Sequence, residues 1–367
     1  MSQQLQRLIQ FILVFIISTS AAAQLPPGKH FPRPVKGKEH LIDTRIDNMT
    51  YWKHMAEKGY VEVAPFKQVE PATYRGSRIS SRSVTFEDSP DVRLTEINST
   101  QSENSVFVNP NDNQNVLQSN NSTTNPVSVL YGANDFFTFD GGETWEGEVE
   151  GAGGENSGDP SVAISNDGRY YVGYIHSNYD QGVSYSTDQG QTWTAVQCAG
   201  GGYILDKNHL WIDNSPSSPY EGNLYSAWTN FQGGSNDSEI EIVRTTDGGV
   251  SYSSRLSISS AVSAGSHNQG VNIQTGPDGQ VYVVWTIYDG CPTDETAMGF
   301  AKSLNGGVSY QTAHRIIENI RGIRTSETSK DMRVNSFPSM AVDISDGPNR
   351  GNIYVVWTNI GVPGTNT

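Results

Sequence analysis

The phrase TFDGGETWEG (138–147) returns as STDQGQTW (186–193), TTDGGVSY (245–252) and SLNGGVSY (303–310). A chain that spells one tight turn four times must build one local structure four times, and this constrains the fold more than any bulk property. The motif Asp or Asn falls at 140, 188, 247 and 305, at intervals of about 48, 59 and 58 residues. A second phrase interleaves with the first: PSVAISNDGRYYVGYIHS (160–177), HLWIDNSPSSPYEGNLYSAWTN (209–230), QGVNIQTGPDGQVYVVWTI (269–287) and PSMAVDISDGPNRGNIYVVWTN (338–359). A looser copy, NSVFVNPNDNQNVLQSNN (104–121), precedes the first turn.

Each unit reads as a short apolar strand, a Gly/Asn/Asp/Pro turn, a β-branched and aromatic strand, a variable loop, a third strand, the repeated phrase and a fourth strand. In the second unit the predicted strands are 161–165, 170–176, 182–186 and 192–197. Four-stranded antiparallel units without intervening helices define an all-β fold, a β-propeller of four-stranded blades. The fifth unit stops at NIYVVWTNIGVPGTNT, after its second strand. About four and a half blades are therefore expected here, as a fragment of a six- to eight-bladed ring, because an open propeller exposes strand edges. The strand-like VRLTEIN (92–98) is a candidate to complete the last blade.

Three segments are expected: a signal peptide over 1–23, a tether, helix and linker over 24–89, and the propeller over 90–367. The first carries MSQQLQR, an apolar run LIQFILVFIISTS and Ala21-Ala22-Ala23 as a small-residue cleavage site. The run is too short for a transmembrane helix, and no later segment reads as one. Residues 24–38 are Pro- and Lys-rich, 43–58 form the one convincing helix, capped by Asp43 and ended by Gly59, and 66–89 read as a linker. A formal net charge of −15 excludes a nucleic-acid groove and an anionic membrane surface, and suits a secreted or cell-surface protein. Two cysteines, Cys198 and Cys291, leave a disulfide open.

The repeated phrase reads as architecture. Gly142, Gly190, Gly249 and Gly307 can take positive φ, as a tight reversal needs. Asp140, Asp188, Asp247 and Asn305 can accept backbone N–H groups of the same turn, and Trp145, Trp193, Tyr252 and Tyr310 supply rings for the seams between blades. Asn at the fourth position keeps the acceptor and loses the charge, which a staple tolerates and a general acid does not. In this form the phrase resembles the Asp box, or bacterial neuraminidase repeat, of sialidases and other propellers; the four copies and their strands span about residues 100–359. The resemblance implies a sialidase-like propeller with the boxes at the periphery, on the face away from the ligand site.

On the opposite face, the residues just before each innermost strand line the channel mouth: SEN (102–104), SGDP (157–160), DKNH (206–209), SHNQ (266–269) and DMRVNSF (331–337). They offer Glu103, Asp159 and Asp206 as candidate catalytic carboxylates, and Lys207, His267, Gln269 and Arg333 as candidate ligand-binding groups. Similarity to sialidases would further imply three arginines on a substrate carboxylate, a Tyr–Glu pair and an Asp acid/base. The Phe/Tyr-Arg-Ile-Pro motif of the first blade is absent: ENSVFV stands there, and Arg315, Arg321, Arg324 and Arg333 crowd one region. The expected function is therefore a glycan- or protein-binding adhesion module, with a glycoside hydrolase on the same scaffold as the alternative. No cofactor is expected. Asp/Asn-rich loops such as 109–115 and 343–350 could hold a structural Ca²⁺, but turn chemistry accounts for them, and no zinc pattern, Walker A or G-x-S-x-G is present.

Overall fold

A computed structural model describes residues 33–62 without 44–45 and 47–48, the pairs 78–80 and 85–87, residues 92–95, and 99–359 without 125–129, 155, 202–203, 232–237, 291–294, 321 and 323–334. The 1–23 segment, Cys291, Arg321, Arg324 and Arg333 lie outside the described residues.

The chain folds into successive antiparallel sheets of the predicted kind. The first runs Ser99–Asn109, Asp112–Thr124, Asp135–Thr138 and Glu146–Glu148, with Leu130–Ala133 also paired to the second strand. The second holds Ser161–Ile164, Tyr170–Ile175, Gln181–Ser186 and Thr194–Ala199, within two residues of the predicted strands. The third holds Leu205–Ile212, Leu224–Phe231, Ser238–Thr245 and Leu256–Ser257. The fourth holds His267–Thr275, Val281–Tyr288, Ala297–Ser303 and His314–Glu318, and the fifth pairs Ser339–Val342 with Ile353–Val356. The innermost strand of each sheet packs on that of the next, from Ser99–Asn109 round to Ser339–Val342. This is the radial arrangement of a propeller, and the sheets are blades 1 to 5.

The core lies between blades. Tyr174, Trp228 and Trp285 occupy the same place in the second strands of blades 2, 3 and 4, all nearly inaccessible. Tyr174 and Trp285 each face a glycine across the ladder, Gly182 and Gly299, where a Cβ would lie 2.4 and 2.3 Å from the ring. Glu241 takes the glycine's place in blade 3 and accepts from Trp228 Nε1 at 3.1 Å, so the large ring is held by a bond instead of by vacant space.

The boxes sit on four separate blades and repeat one bonding pattern. In blade 2, Ser186 Oγ donates to Asp188 Oδ1 (2.7 Å) and accepts from Gly190 N (2.9 Å), while Thr192 N and Oγ1 donate to the Asp188 carboxylate (2.8 and 2.6 Å). In blade 4, Asn305 Oδ1 still accepts from Ser303 Oγ and Ser309 N, but its Nδ2 donates to Ser309 Oγ at 2.9 Å. The hydroxyl simply reverses its role, which is why the amide serves. Gly142, Gly190, Gly249 and Gly307 have φ of 97°, 94°, 93° and 77°. A Cβ on Gly190 would stand 2.6 Å from Phe137 of blade 1, and one on Gly307 2.7 Å from Tyr225 of blade 3, so each turn also packs on the blade before it.

Upstream, the helix runs Met49–Glu57, shorter than the predicted 43–58. Asp43 does not cap it; its N–H donates to Tyr51 Oη at 2.6 Å, and Gly59 ends the helix at φ 66° as expected. The linker contains a two-stranded ladder, Arg78–Ser80 with Thr85–Glu87. Of the candidate strand 92–98, residues 92–95 form no strand and 96–98 lie outside the described residues; Thr95 lines a cavity with Tyr131, Phe136 and Glu148 of blade 1. Cys198 is a buried free thiol donating to Gln181 O, and burial pushes it up to about 12.

Candidate functional site

The innermost strands share a device that the sequence hides. Ladder register slips by one residue between Ser102 and Ser105, between Asp206 and His209, and between Gln269 and Asn272. Blade 2 does the same, with Ile175 N bonded to Gly158 O while Ser161 pairs Gly173. Each slip is a bulge whose first extra residue lies two positions before Ser105, Ser161, His209 or Asn272. Those residues are Glu103, Asp159, Lys207 and Gly270, with φ of 59°, 56°, 53° and 73°. Three of the four carry a Cβ in left-handed backbone, at a cost of roughly 1 kcal/mol or more each. Strain repeated at one register, with three charged side chains, marks a place where direction of the side chain matters more than stability.

These side chains meet. Lys207 Nζ lies 3.4 Å from Glu103 Oε2, and Lys207 N donates to Asp159 Oδ2 at 3.0 Å. Asp159 N donates to Asn121 Oδ1 at 2.8 Å, which fixes its bulge to blade 1. The Asp159 carboxyl lies against both Glu103 and Asp206, an arrangement that shares protons. Glu103 and Lys207 are about a third exposed (32% and 33%), whereas Asp159 and Asp206 are 5% and 1% exposed. Burial pushes Glu103 up to about 8, with the Asp159 charge adding and Lys207 opposing. Burial likewise pushes Asp159 and Asp206 up to about 6. Burial disfavours the Lys207 ammonium, but Glu103, Asp159 and Asp206 together outweigh it and hold Lys207 above its ordinary value.

One group in this cluster is sparsely bonded. Beyond its contact with the Asp159 carboxyl and the approach of Lys207 N–H, neither Asp206 oxygen has a well-formed hydrogen bond among the described residues, and both atoms of the Asn208 amide are bare. Nearly every buried carboxylate in a folded protein is well supplied with donors, so one this sparsely bonded at 1% exposure is held in place at a cost.

Sequence reasoning brought forward Glu103, Asp159, Asp206 and Lys207, and the structure gathers all four. His267 and Gln269 lie elsewhere: both are buried, and His267 Nε2 bonds Gln269 Oε1 at 3.0 Å while Nδ1 bonds Ser238 Oγ at 2.7 Å. Arg315 sits on the outermost strand of blade 4, paired with Asp289. Sequence reasoning missed an inter-blade stitch. Ser105 Oγ accepts from Val162 N, Ser161 Oγ from Leu210 N, and His209 Nδ1 from Ile273 N (3.1, 2.8 and 3.3 Å). His209 thus replaces serine as an acceptor, and burial beside Lys207 lowers it to about 4, keeping that nitrogen unprotonated. The signal was present: Ser, Ser and His stand at one register of the inner strand.

A larger cavity, about 600 Å³, opens on the box face, lined among others by Arg169, Tyr171, Glu221 and Asp247. Its polar groups are already engaged: Arg169 donates to Gly248 O at 2.6 Å and stacks on Tyr185, and Asp247 closes its own turn. Among the described residues no group of three or more His, Cys, Asp or Glu is placed to hold a metal ion.

With four box turns on radially packed four-stranded blades, the chain is a β-propeller that carries the BNR/Asp-box repeat. The BNR/Asp-box repeat matches over residues 180–195, the second copy. No curated protein matches the chain. Among solved structures it is similar to a protein of unknown function from Dyadobacter fermentans, at 14% identity and TM-score 0.50, over 84% of this chain and 88% of that one. It is also similar to an α-L-arabinofuranosidase from Fusarium graminearum (13% identity, TM-score 0.47, 70% of this chain and 74% of that). A third is the NanB sialidase of Streptococcus pneumoniae (9% identity, TM-score 0.42, 70% and 56%).

Proposed function

We propose that the protein binds glycan at the channel mouth, through Glu103, Asp159, Asp206 and Lys207. The Glu103–Lys207 pair carries the reading, because it is the exposed edge of the cluster: a sugar hydroxyl donates to the Glu103 carboxyl, and the Lys207 ammonium donates to sugar oxygens. Asp159 bonds both Glu103 and Asp206, and each of these bonded pairs is closer than the roughly 5 to 9 Å that hydrolytic carboxylate pairs keep. The binding occurs outside the cell, on the reading of residues 1–23 as a signal peptide and of the −15 net charge as suited to secretion. Among the described residues no helix is long and apolar enough to cross a membrane.

A glycoside hydrolase is the second reading, favoured by one observation. Carboxyls pushed to about 8 and about 6 would supply a protonated acid and an ionised partner near neutral pH. The test is a glycan array with the full chain, beside chromogenic glycosides of the same sugars. Saturable binding without product release, weakened at least tenfold by Asp206→Asn, is expected. Turnover abolished by Glu103→Gln would replace the binding reading with the hydrolytic one, and an array without any signal would sink both.

A further inference from the structure

Blade 4 breaks the pattern of the channel mouth. Its bulge residue is Gly270, so the side chain that blades 1 to 3 send toward the channel is missing. Its space is filled from the next blade. A Cβ on Gly270 would stand 2.2 Å from Cδ1 and 2.3 Å from Cγ of Phe337, so the ring packs directly against that backbone. Phe337 itself stands two residues before Ser339, the register of Glu103, Asp159 and Lys207 in the other inner strands. Its segment is anchored to blade 4: Ser336 N donates to Glu295 Oε1 at 2.8 Å, and Ser336 O accepts from Thr286 Oγ1 at 3.3 Å. The ring is only partly buried. Residues of one register therefore form an arc around the axis, charged over blades 1 to 3 and aromatic over blades 4 and 5.

Resting on the glycan reading above, we infer that this arc selects a pyranose without a carboxylate, its apolar C–H face on Phe337 and its hydroxyls toward the Asp206 cluster. A sugar ring is amphipathic in this way, with C–H groups on one face and hydroxyls at the edge, and a flat aromatic beside polar groups matches it. The charge balance sets the exclusion. Three carboxyls face one ammonium at the described mouth, and Lys207 is engaged by Glu103, so an acidic sugar meets like charge there, with no free cation among the described residues of the cluster to hold it.

The test uses the full chain on an array of neutral glycans paired with their sialylated counterparts, with Phe337→Ala, Phe337→Trp and Arg333→Ala beside the parent. Neutral members bind and their sialylated partners bind at least tenfold more weakly. Phe337→Ala loses five- to tenfold in affinity, and Phe337→Trp keeps it. Thermal melts establish that each variant is folded; should Phe337→Ala fail there, Phe337→Leu, which keeps bulk and loses the flat face, takes its place with the same expected loss. Preferred binding of sialylated members, above all if Arg333→Ala removes it, overturns the inference while leaving glycan binding intact. So does parent-like binding by a folded variant without the ring. Binding of no glycan overturns the reading of the preceding section and this one with it.

Discussion

Asp206 keeps a carboxylate at 1% exposure with no well-formed hydrogen bond beyond its Asp159 and Lys207 N–H contacts, and the chain bears a stability penalty for holding it there. The sign follows from its shift. Burial raises the folded value to about 6, so the folded state holds a proton that the unfolded chain has already released near pH 4. Stability is thus fully present below the unfolded value and falls as pH rises through about 6. Asp206→Asn removes this penalty. The variant gains about 1 to 3 kcal/mol over the parent at pH 8 and nothing near pH 4, in melts at both pH values, while its glycan affinity falls. An equal loss of stability at both pH values would show that the carboxylate holds the bulge together. At this scale the sequence was half legible. Glu103, Asp159, Asp206 and Lys207 stand just before the inner strands, where a ligand site belongs. Their left-handed backbone was invisible, because Glu, Asp and Lys do not advertise positive φ as Gly270 does.

The box turn shows which parts of an element are chemistry and which are geometry. Asp140, Asp188 and Asp247 are each held below the usual carboxylate range, foremost by the hydroxyl two residues after their second glycine-side neighbour: Thr144, Thr192 and Ser251. With the folded value of Asp188 near 2, its contribution is present above about pH 4 and is lost as pH falls through about 2. Asn305 keeps the same turn by donating to Ser309 Oγ. Asp188→Asn therefore retains most of the parent Tm at pH 7, and Asp188→Ala, which strips the acceptors of Ser186 Oγ and of Thr192 N and Oγ1, loses clearly more. Equal losses in the two variants would mean that the charge, not the acceptor, makes the turn. The boxes and strands were readable because turn chemistry and strand alternation are local. The bulges were not, and the Ser105–Ser161–His209 stitch showed only as a shared register without its partners, since each bond joins residues about 50 or more apart on neighbouring blades.

At the scale of the whole molecule, the N-terminal segment and the candidate site are mechanically joined. Ile46, Tyr51 and Met55 are buried against Ile204, Phe231 and Tyr179, loop and strand-end residues of blades 2 and 3. The backbone ties continue inward: Phe231 N donates to Ile204 O at 3.0 Å and Leu205 N to Tyr179 O at 3.1 Å. Tyr179, like the bulge residues, holds a positive φ, 68°. Ile204 stands two residues before Asp206, so the apolar contact that seats the helix also seats the strand end from which the carboxylate and Lys207 project. A charge at Ile46, which is wholly inaccessible, cannot be accommodated without releasing this contact. Ile46→Asp therefore speeds amide exchange at Leu205, Asp206 and Lys207, lowers glycan affinity several-fold, and leaves exchange in the box of blade 4 at the parent rate. Unchanged protection at 205–207 in a variant whose helix has come away would show that the blades hold the site unaided, and that the segment merely rests on them.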